Sequence, residues 1–130
     1  MESYLDVNLD VFQQFKNAAK NEPVIMLNLL KYKERVEETG ETGKEAYNSY
    51  MTAASPFLKK AEAKVLFFGA PMHMLIGPVE EELWDAVIVV QYNSFEHFVG
   101  MATAEGYPSH LRKRALVDSR LIHCKSFNTP

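Results

Sequence analysis

Cysteine is almost absent from this chain of 130 residues. Cys124 stands alone, so no internal disulfide can form and no CxxC redox pair exists. A small scaffold held together by disulfides is therefore excluded, and Cys124 is expected to act as a small apolar residue in the last strand. No apolar run approaches the roughly 20 residues that a helix needs to cross a bilayer. The amino terminus, MESYLDVNLD, is acidic and lacks an apolar signal core, so a cytoplasmic location without membrane association is expected. Basic charge is not in excess: 14 Lys and Arg against 17 Asp and Glu give a net charge of −3. That balance speaks against nucleic acid as a partner. The densest basic run, HLRKR from His110 to Arg114, lies in a helical pattern and reads as a solvated face with one or two buried members.

Several signatures of chemistry are also missing. There is no glycine-rich phosphate loop and no Ser-His-Asp signature. The four histidines, His73, His97, His110 and His123, have no HExxH-type spacing, and a metal site needs three or four convergent ligands. Neither a metal nor a cofactor is expected. Internal repeats and low-complexity segments are lacking too.

What is present is a single domain's worth of apolar sequence with clear periodicities. The stretch Trp84 to Phe98, WDAVIVVQYNSFEHF, reads as a strand that runs into a helix capped by Ser94. Trp84, Ala86, Ile88, Val90 and Tyr92 share one face of that strand, and Asp85, Val87, Val89 and Gln91 share the other. Near-continuous apolarity implies cover on both faces, so Val89→Asp is expected to be severely destabilising. Leu9, Phe12, Phe15 and Ala19 recur at helical spacing from Asn8 to Lys20. Residues 1–22 are thus a helical extension before a domain of residues 23–130. Pro23 to Lys33 forms a first strand. Thr42 and Glu45 fit a capping box that starts a helix running to about Ala63, which Pro56 should kink or divide. Lys64 to Gly77 reads as a second strand, bent near Gly69 and Pro71. Helical segments from Ser94 to near Gly106 and from Pro108 follow. A last strand runs from Asp118 to Phe127, and Asn128-Thr129-Pro130 is expected to be loose.

After the leading helix the order is βαββαβ, which predicts an α+β, ferredoxin-like domain with helices on one face of an antiparallel sheet. The other face would be too apolar to leave bare, so a homodimer with two sheets face to face is expected.

Several stretches resemble the bacterial family called "domain of unknown function 1330". They are PVIMLNLLKY (Pro23 to Tyr32), TGKEAYNSYM (Thr42 to Met51), VLFFG (Val65 to Gly69), LIG (Leu75 to Gly77), WDAVIVVQYNS (Trp84 to Ser94) and GYPSHLRKRALVDSRLI (Gly106 to Ile122). The resemblance implies a dimeric α/β barrel with pockets near the sheet and helices, and no assigned reaction. The chain departs from that pattern at Glu62-Ala63, where paired glycines are usual. It departs again at Tyr92-Asn93-Ser94, where Tyr-Pro-Ser is common, and at Gly106, where an acidic residue precedes the tyrosine.

Tyr107, His110 and Arg114 stand at i, i+3 and i+7, so one continuous helix would align them. Tyr107 and Arg114 also fall on that family's tyrosine and arginine positions. Phenol, imidazole and guanidinium together suit a carboxylate or enolate. The competing reading pairs Arg114 with Asp85 or Asp118 as a structural ion pair. Asn28 interrupts the first strand and needs partners for its amide. Asn28, Tyr47, Trp84, Tyr107, His110 and Arg114 are the candidate ligand-binding residues, and His110 and Asp85 the candidate catalytic ones. Three functional readings remain open. The first is a small-molecule-binding protein that transforms a small organic acid or enolisable compound without a cofactor. The others are a non-catalytic ligand-binding module and a structural homodimer.

Overall fold

The structure is a computed structural model and describes residues 2–127; the tail residues Asn128, Thr129 and Pro130 lie outside that range. Helix α1 spans Leu9–Ala18, and its first turn is closed by Asn8, whose side-chain oxygen accepts from the Asp10 and Val11 N–H groups at 3.1 Å each. Strand β1, Val24–Tyr32, leads through a loop to helix α2, Gly43–Lys60. The capping box is formed: the Glu45 N–H donates to Thr42 Oγ1 at 3.1 Å, and the Thr42 N–H donates to Glu45 Oε1 at 2.8 Å. Strands β2, Lys64–Gly69, and β3, Ala86–Tyr92, follow. Helix α3 spans Phe95–Ala102, helix α4 Ser109–Ala115, and strand β4 Leu116–Cys124.

The four strands pair antiparallel throughout, in the order β2-β3-β1-β4. Val24, Met26 and Leu30 of β1 and Ala86, Ile88, Val90 and Tyr92 of β3 point to one face and are buried there. Ala46, Tyr47, Tyr50 and Ala54 of α2 cover them. Phe15 of α1 belongs to the same core, with its ring 4.8 Å from Phe95 and 4.5 Å from His123.

Four expectations need correction. Helix α2 is not divided at Pro56, which is exposed, so that water can take the carbonyl it leaves unpaired. Strand β2 stops at Gly69, and its register shifts between Val65 and Phe67. Residues 70–85 therefore form a long connection, which carries His73 out of the sheet. The last strand starts at Leu116 directly after α4 and ends at Cys124, short of Phe127. Finally, Val89 is only half-buried. It lies on the face away from the helices, in a row Phe67–Val89–Leu27–Ile122 across all four strands. A charge there acts on whatever covers that face rather than on the chain's own core.

The segment before α1 is tied to the far edge of the sheet. Tyr4 donates its N–H to Asp118 Oδ1 at 2.8 Å, and its carbonyl accepts from the Ser119 N–H at 3.0 Å and Ser119 Oγ at 2.7 Å. Burial pushes the Asp118 carboxyl up, but the Tyr4 N–H, the Arg120 guanidinium and the Ser119 N–H together hold it below its usual value. A depressed carboxyl contributes stability above its unfolded pKa and loses it as pH falls through the folded one. Acidification below about pH 4 is therefore expected to release residues 2–6 before the core melts. Amide exchange at Ser119, followed across that range, checks this. Asp118→Asn should give the same exposure at neutral pH.

Candidate functional site

Helix α2 sets a row of tyrosines between itself and the sheet. Tyr47 and Tyr50 are one turn apart, are both buried, and have rings 5.2 Å apart. Tyr47 also meets Tyr32 of β1, centroid to centroid, at 5.9 Å. The Tyr50 hydroxyl is hydrogen-bonded to that of Tyr107, whose ring stands edge-on to Phe57 at 5.5 Å. Tyr92 closes the far side and donates its hydroxyl to Met101 Sδ at 3.7 Å.

Arg112 of α4 enters this layer. Its Nη2 donates to Asn28 Oδ1 at 3.3 Å, while Asn28 Nδ2 is 3.4 Å from the Ile88 carbonyl and 3.5 Å from that of Met26. Among the described residues Arg112 has no carboxylate partner. Burial pushes the phenols of Tyr47, Tyr50 and Tyr92 well above their ordinary value, and the positive charge of Arg112 pulls each of them back in part. At neutral pH they are protonated donors.

The tyrosine row ends at an open cleft of about 450 Å³ between α2 and the β2–β3 edge. Tyr32, Lys44, Asn48, Phe68 and Asp85 line it, together with Gly69, Ala70 and Ala86. Lys44 and Asn48 are one helical turn apart on α2, so one face of that helix brings both to the cleft. Asp85 accepts the Tyr32 N–H through Oδ2 at 2.8 Å and donates its own N–H to the Leu30 carbonyl at 2.8 Å. The carboxylate is thus held at the start of β3 while it stays exposed. Burial first, and the Asp85 charge second, push the Tyr32 phenol up. The cleft therefore offers an ammonium, a phenolic O–H, an amide and a carboxylate. Its volume falls within the range of small-molecule sites.

Of the residues singled out in sequence, Asn28, Tyr47 and Tyr107 come together in the interior layer, and Asp85 lines the cleft. The others lie elsewhere. His110 is exposed on α4 and makes no bond to Asp85 among the described residues. Trp84 stacks its ring on the Arg120 guanidinium at 4.9 Å. Arg114 is half-buried, its Nε has no partner among the described residues, and neither of its expected partners holds it: Asp118 pairs with Arg120 at 2.7 Å, and Asp85 with the Tyr32 N–H.

The expected alignment of Tyr107, His110 and Arg114 assumed a helix from Tyr107, yet α4 starts at Ser109. The buried positions around it are Pro108 and Ala115, so the inward face takes Arg112, four residues after one and three before the other. In the sequence, the apolar residues Pro108, Leu111 and Ala115 at i, i+3 and i+7 were the signal that could have found Arg112, which lies on their face. Lys44 carried no signal, since its place on the cleft depends on where β2 stops.

The order β2-β3-β1-β4, with all helices on one face, defines an α+β protein of ferredoxin-like fold. The chain belongs to the family of the RPA0582 protein of Rhodopseudomonas palustris, a protein of unknown function. A solved structure of that protein is 33% identical, with a TM-score of 0.87, over 98% of this chain and 100% of that one. The structure of the methylated RPA0582 protein gives the same identity and TM-score over 98% of each chain. A dimeric protein of unknown function and ferredoxin-like fold from Bacteroides fragilis shares the fold at a TM-score of 0.53 and 14% identity, over 80% of this chain and 96% of that one. No family model and no curated protein matches.

Proposed function

We propose that this chain is a homodimeric small-molecule-binding protein whose ligand is a small organic compound with an anionic or enolic oxygen. The observation that carries the proposal is the cleft, which Lys44 and Tyr32 both line, the Tyr32 phenol being held protonated by burial. Lys44 has no carboxylate partner among the described residues, so its charge is free for a ligand. Arg112, with Asn28, Tyr47 and Tyr107, forms a polar layer in the interior, and Tyr32, whose ring meets Tyr47, joins that layer to the cleft. The dimer is supported by the apolar row across the open sheet face and by the dimeric state of the Bacteroides fragilis protein of the same fold. Membership of the family called domain of unknown function 1330 is part of the proposal and rests on the stretches between Pro23 and Ile122. A cytoplasmic location belongs to it as well.

A panel of small carboxylic acids and 1,3-dicarbonyl compounds, titrated by calorimetry, tests the site. Lys44→Met is expected to weaken the best binder by about 1.5–3 kcal/mol, the worth of a hydrogen bond to a charged group. The fold should be unaffected, because Lys44 is exposed. Equal affinity in parent and variant, or no binder in the panel, would remove the cleft as the site.

A second reading is favoured by Asp85. Its carboxylate borders the cleft and takes one backbone donor through Oδ2. A base so placed can abstract a proton next to a carbonyl, with the Tyr32 O–H stabilising the enolate. Deuterium uptake into a 1,3-dicarbonyl probe in D2O, above the rate without protein and lost in Asp85→Asn, would establish it.

A further inference from the structure

The connection between β2 and β3, residues 70–85, is long and apolar at its tip. Met72, Leu75, Ile76 and Val79 are 70%, 93%, 94% and 74% exposed. Its roots are fixed: Gly69 is paired to Val87 in the sheet, and the Asp85 N–H donates to the Leu30 carbonyl. A free chain does not hold four large apolar side chains in water without a reason. None of them belongs to the protein's buried core cluster or to the half-buried residues packed on it.

The open sheet face is limited in extent. Its rows from Lys64–Gln91–Ile25–Cys124 to Gly69–Val87–Leu29–Arg120 enclose five residues of β1, β3 and β4, about 17 Å along the strands, and four strands span about 19 Å across. That footprint, on the order of 320 Å², compares with the roughly 800 Å² of accessible surface that each partner contributes to a standard interface. Apolar surface from another element would add to it, and residues 72–79 begin three residues after β2 ends at Gly69.

We propose that residues 70–85 form an arm that packs on a second copy of this chain and supplies a main part of the dimer contact. The inference rests on the homodimer reading and adds to it the element that holds the partner. Both roots of the arm, Ala70 and Asp85, line the cleft. Docking the arm therefore also fixes the cleft's rim, so ligand affinity falls when the dimer dissociates.

The test uses the full chain with Cys124→Ser and Leu75→Cys, carrying a polarity-sensitive fluorophore at position 75. Dilution is followed by emission and by sedimentation together. The arm predicts a blue-shifted label whose loss on dilution tracks the monomer fraction. Adding Phe67→Lys and Ile122→Lys, both at exposed positions, should give a monomer with a water-exposed label. Leu75→Ser with Ile76→Ser, without a label, should weaken the dimer at least about tenfold. A dimer whose label emits as in the monomer refutes the arm and leaves the dimer standing. A label that stays blue-shifted in the monomeric variant means the arm packs on its own chain, which also refutes it. A monomer at every concentration overturns the dimer and the arm with it.

Discussion

Gly43→Ala is expected to lower stability by at least about 3 kcal/mol, more than the usual 1–3 kcal/mol for overpacking, because the obstruction is backbone. A Cβ at this position would stand 2.2 Å from the Lys33 carbonyl oxygen, 2.5 Å from the Lys33 nitrogen and 2.8 Å from the Ala115 carbonyl oxygen. None of these is the end of a side chain that could swing aside. They also belong to a junction: the Gly43 N–H donates to the Lys33 carbonyl at 2.9 Å, and the Lys33 N–H donates to the Ala115 carbonyl at 2.9 Å. The end of β1, the first turn of α2 and the passage from α4 to β4 meet there. A methyl group must force at least one of those bonds open. Two other glycines serve as controls. Gly100, in α3, has nothing within 4 Å, so Gly100→Ala should be neutral or stabilising by up to about 1 kcal/mol. Gly40 also faces open space but has φ +75°, so Gly40→Ala should cost about 1–2 kcal/mol through the left-handed backbone alone. Urea unfolding of the three variants beside the parent checks the order. A Gly43→Ala midpoint close to that of Gly40→Ala would show that the junction yields easily.

Periodicity made the sheet and most helices legible. The inward set Ala86, Ile88, Val90 and Tyr92 is buried as the alternation of β3 requires, and the Thr42–Glu45 box closes α2 as its spacing requires. These are local rules, satisfied within a few residues. The end of β2 was not legible, because VLFFGAPMHMLIG keeps an apolar composition after pairing stops at Gly69. Composition does not distinguish a strand from an apolar segment meant for another surface. The cleft inherits that blindness, since Gly69, Ala70 and Lys44 line it only because β2 is short.

The interior layer failed for a different reason. Reading HLRKR correctly needs the phase of α4, and an error of one residue turns a helix face by about 100°. His110 and Arg114 share one face of α4, but Tyr107 lies before the helix begins, and the residue that α4 turns toward Asn28 is Arg112. The groups expected on one face were the Tyr107 phenol, the His110 imidazole and the Arg114 guanidinium; the structure sets Tyr107 beside Tyr50 and Arg112 beside Asn28, with His110 exposed and Arg114 half-buried.

Tyr47 is where that layer and the core coincide, and Tyr47→Ala is expected to cost about 3–5 kcal/mol, the range for removing a large buried aromatic ring. Its side chain is 2% exposed and packs against Tyr32 at 5.9 Å and Tyr50 at 5.2 Å, so no neighbour can collapse fully into the space it leaves. Tyr47→Phe keeps the ring and removes the hydroxyl beside Arg112, and should cost only about 1 kcal/mol, the net worth of one hydrogen bond. The pH dependence separates the two roles of this residue. Burial, opposed in part by Arg112, raises the Tyr47 phenol, and the same holds for Tyr50 and Tyr92. A raised pKa gives stability that is complete below the unfolded value of about 10 and is lost as pH rises toward the folded one. The parent should therefore unfold steeply above about pH 10, where the unfolded chain sheds protons that the folded chain must keep. Tyr47→Phe removes one of these groups, so its stability should fall less steeply over the same interval even though it starts lower at neutral pH. Chemical denaturation of both proteins between pH 7 and pH 11 checks it. Parallel curves would mean that Tyr47 ionises as readily in the folded chain as in the unfolded one, and that Arg112 rather than burial governs its charge.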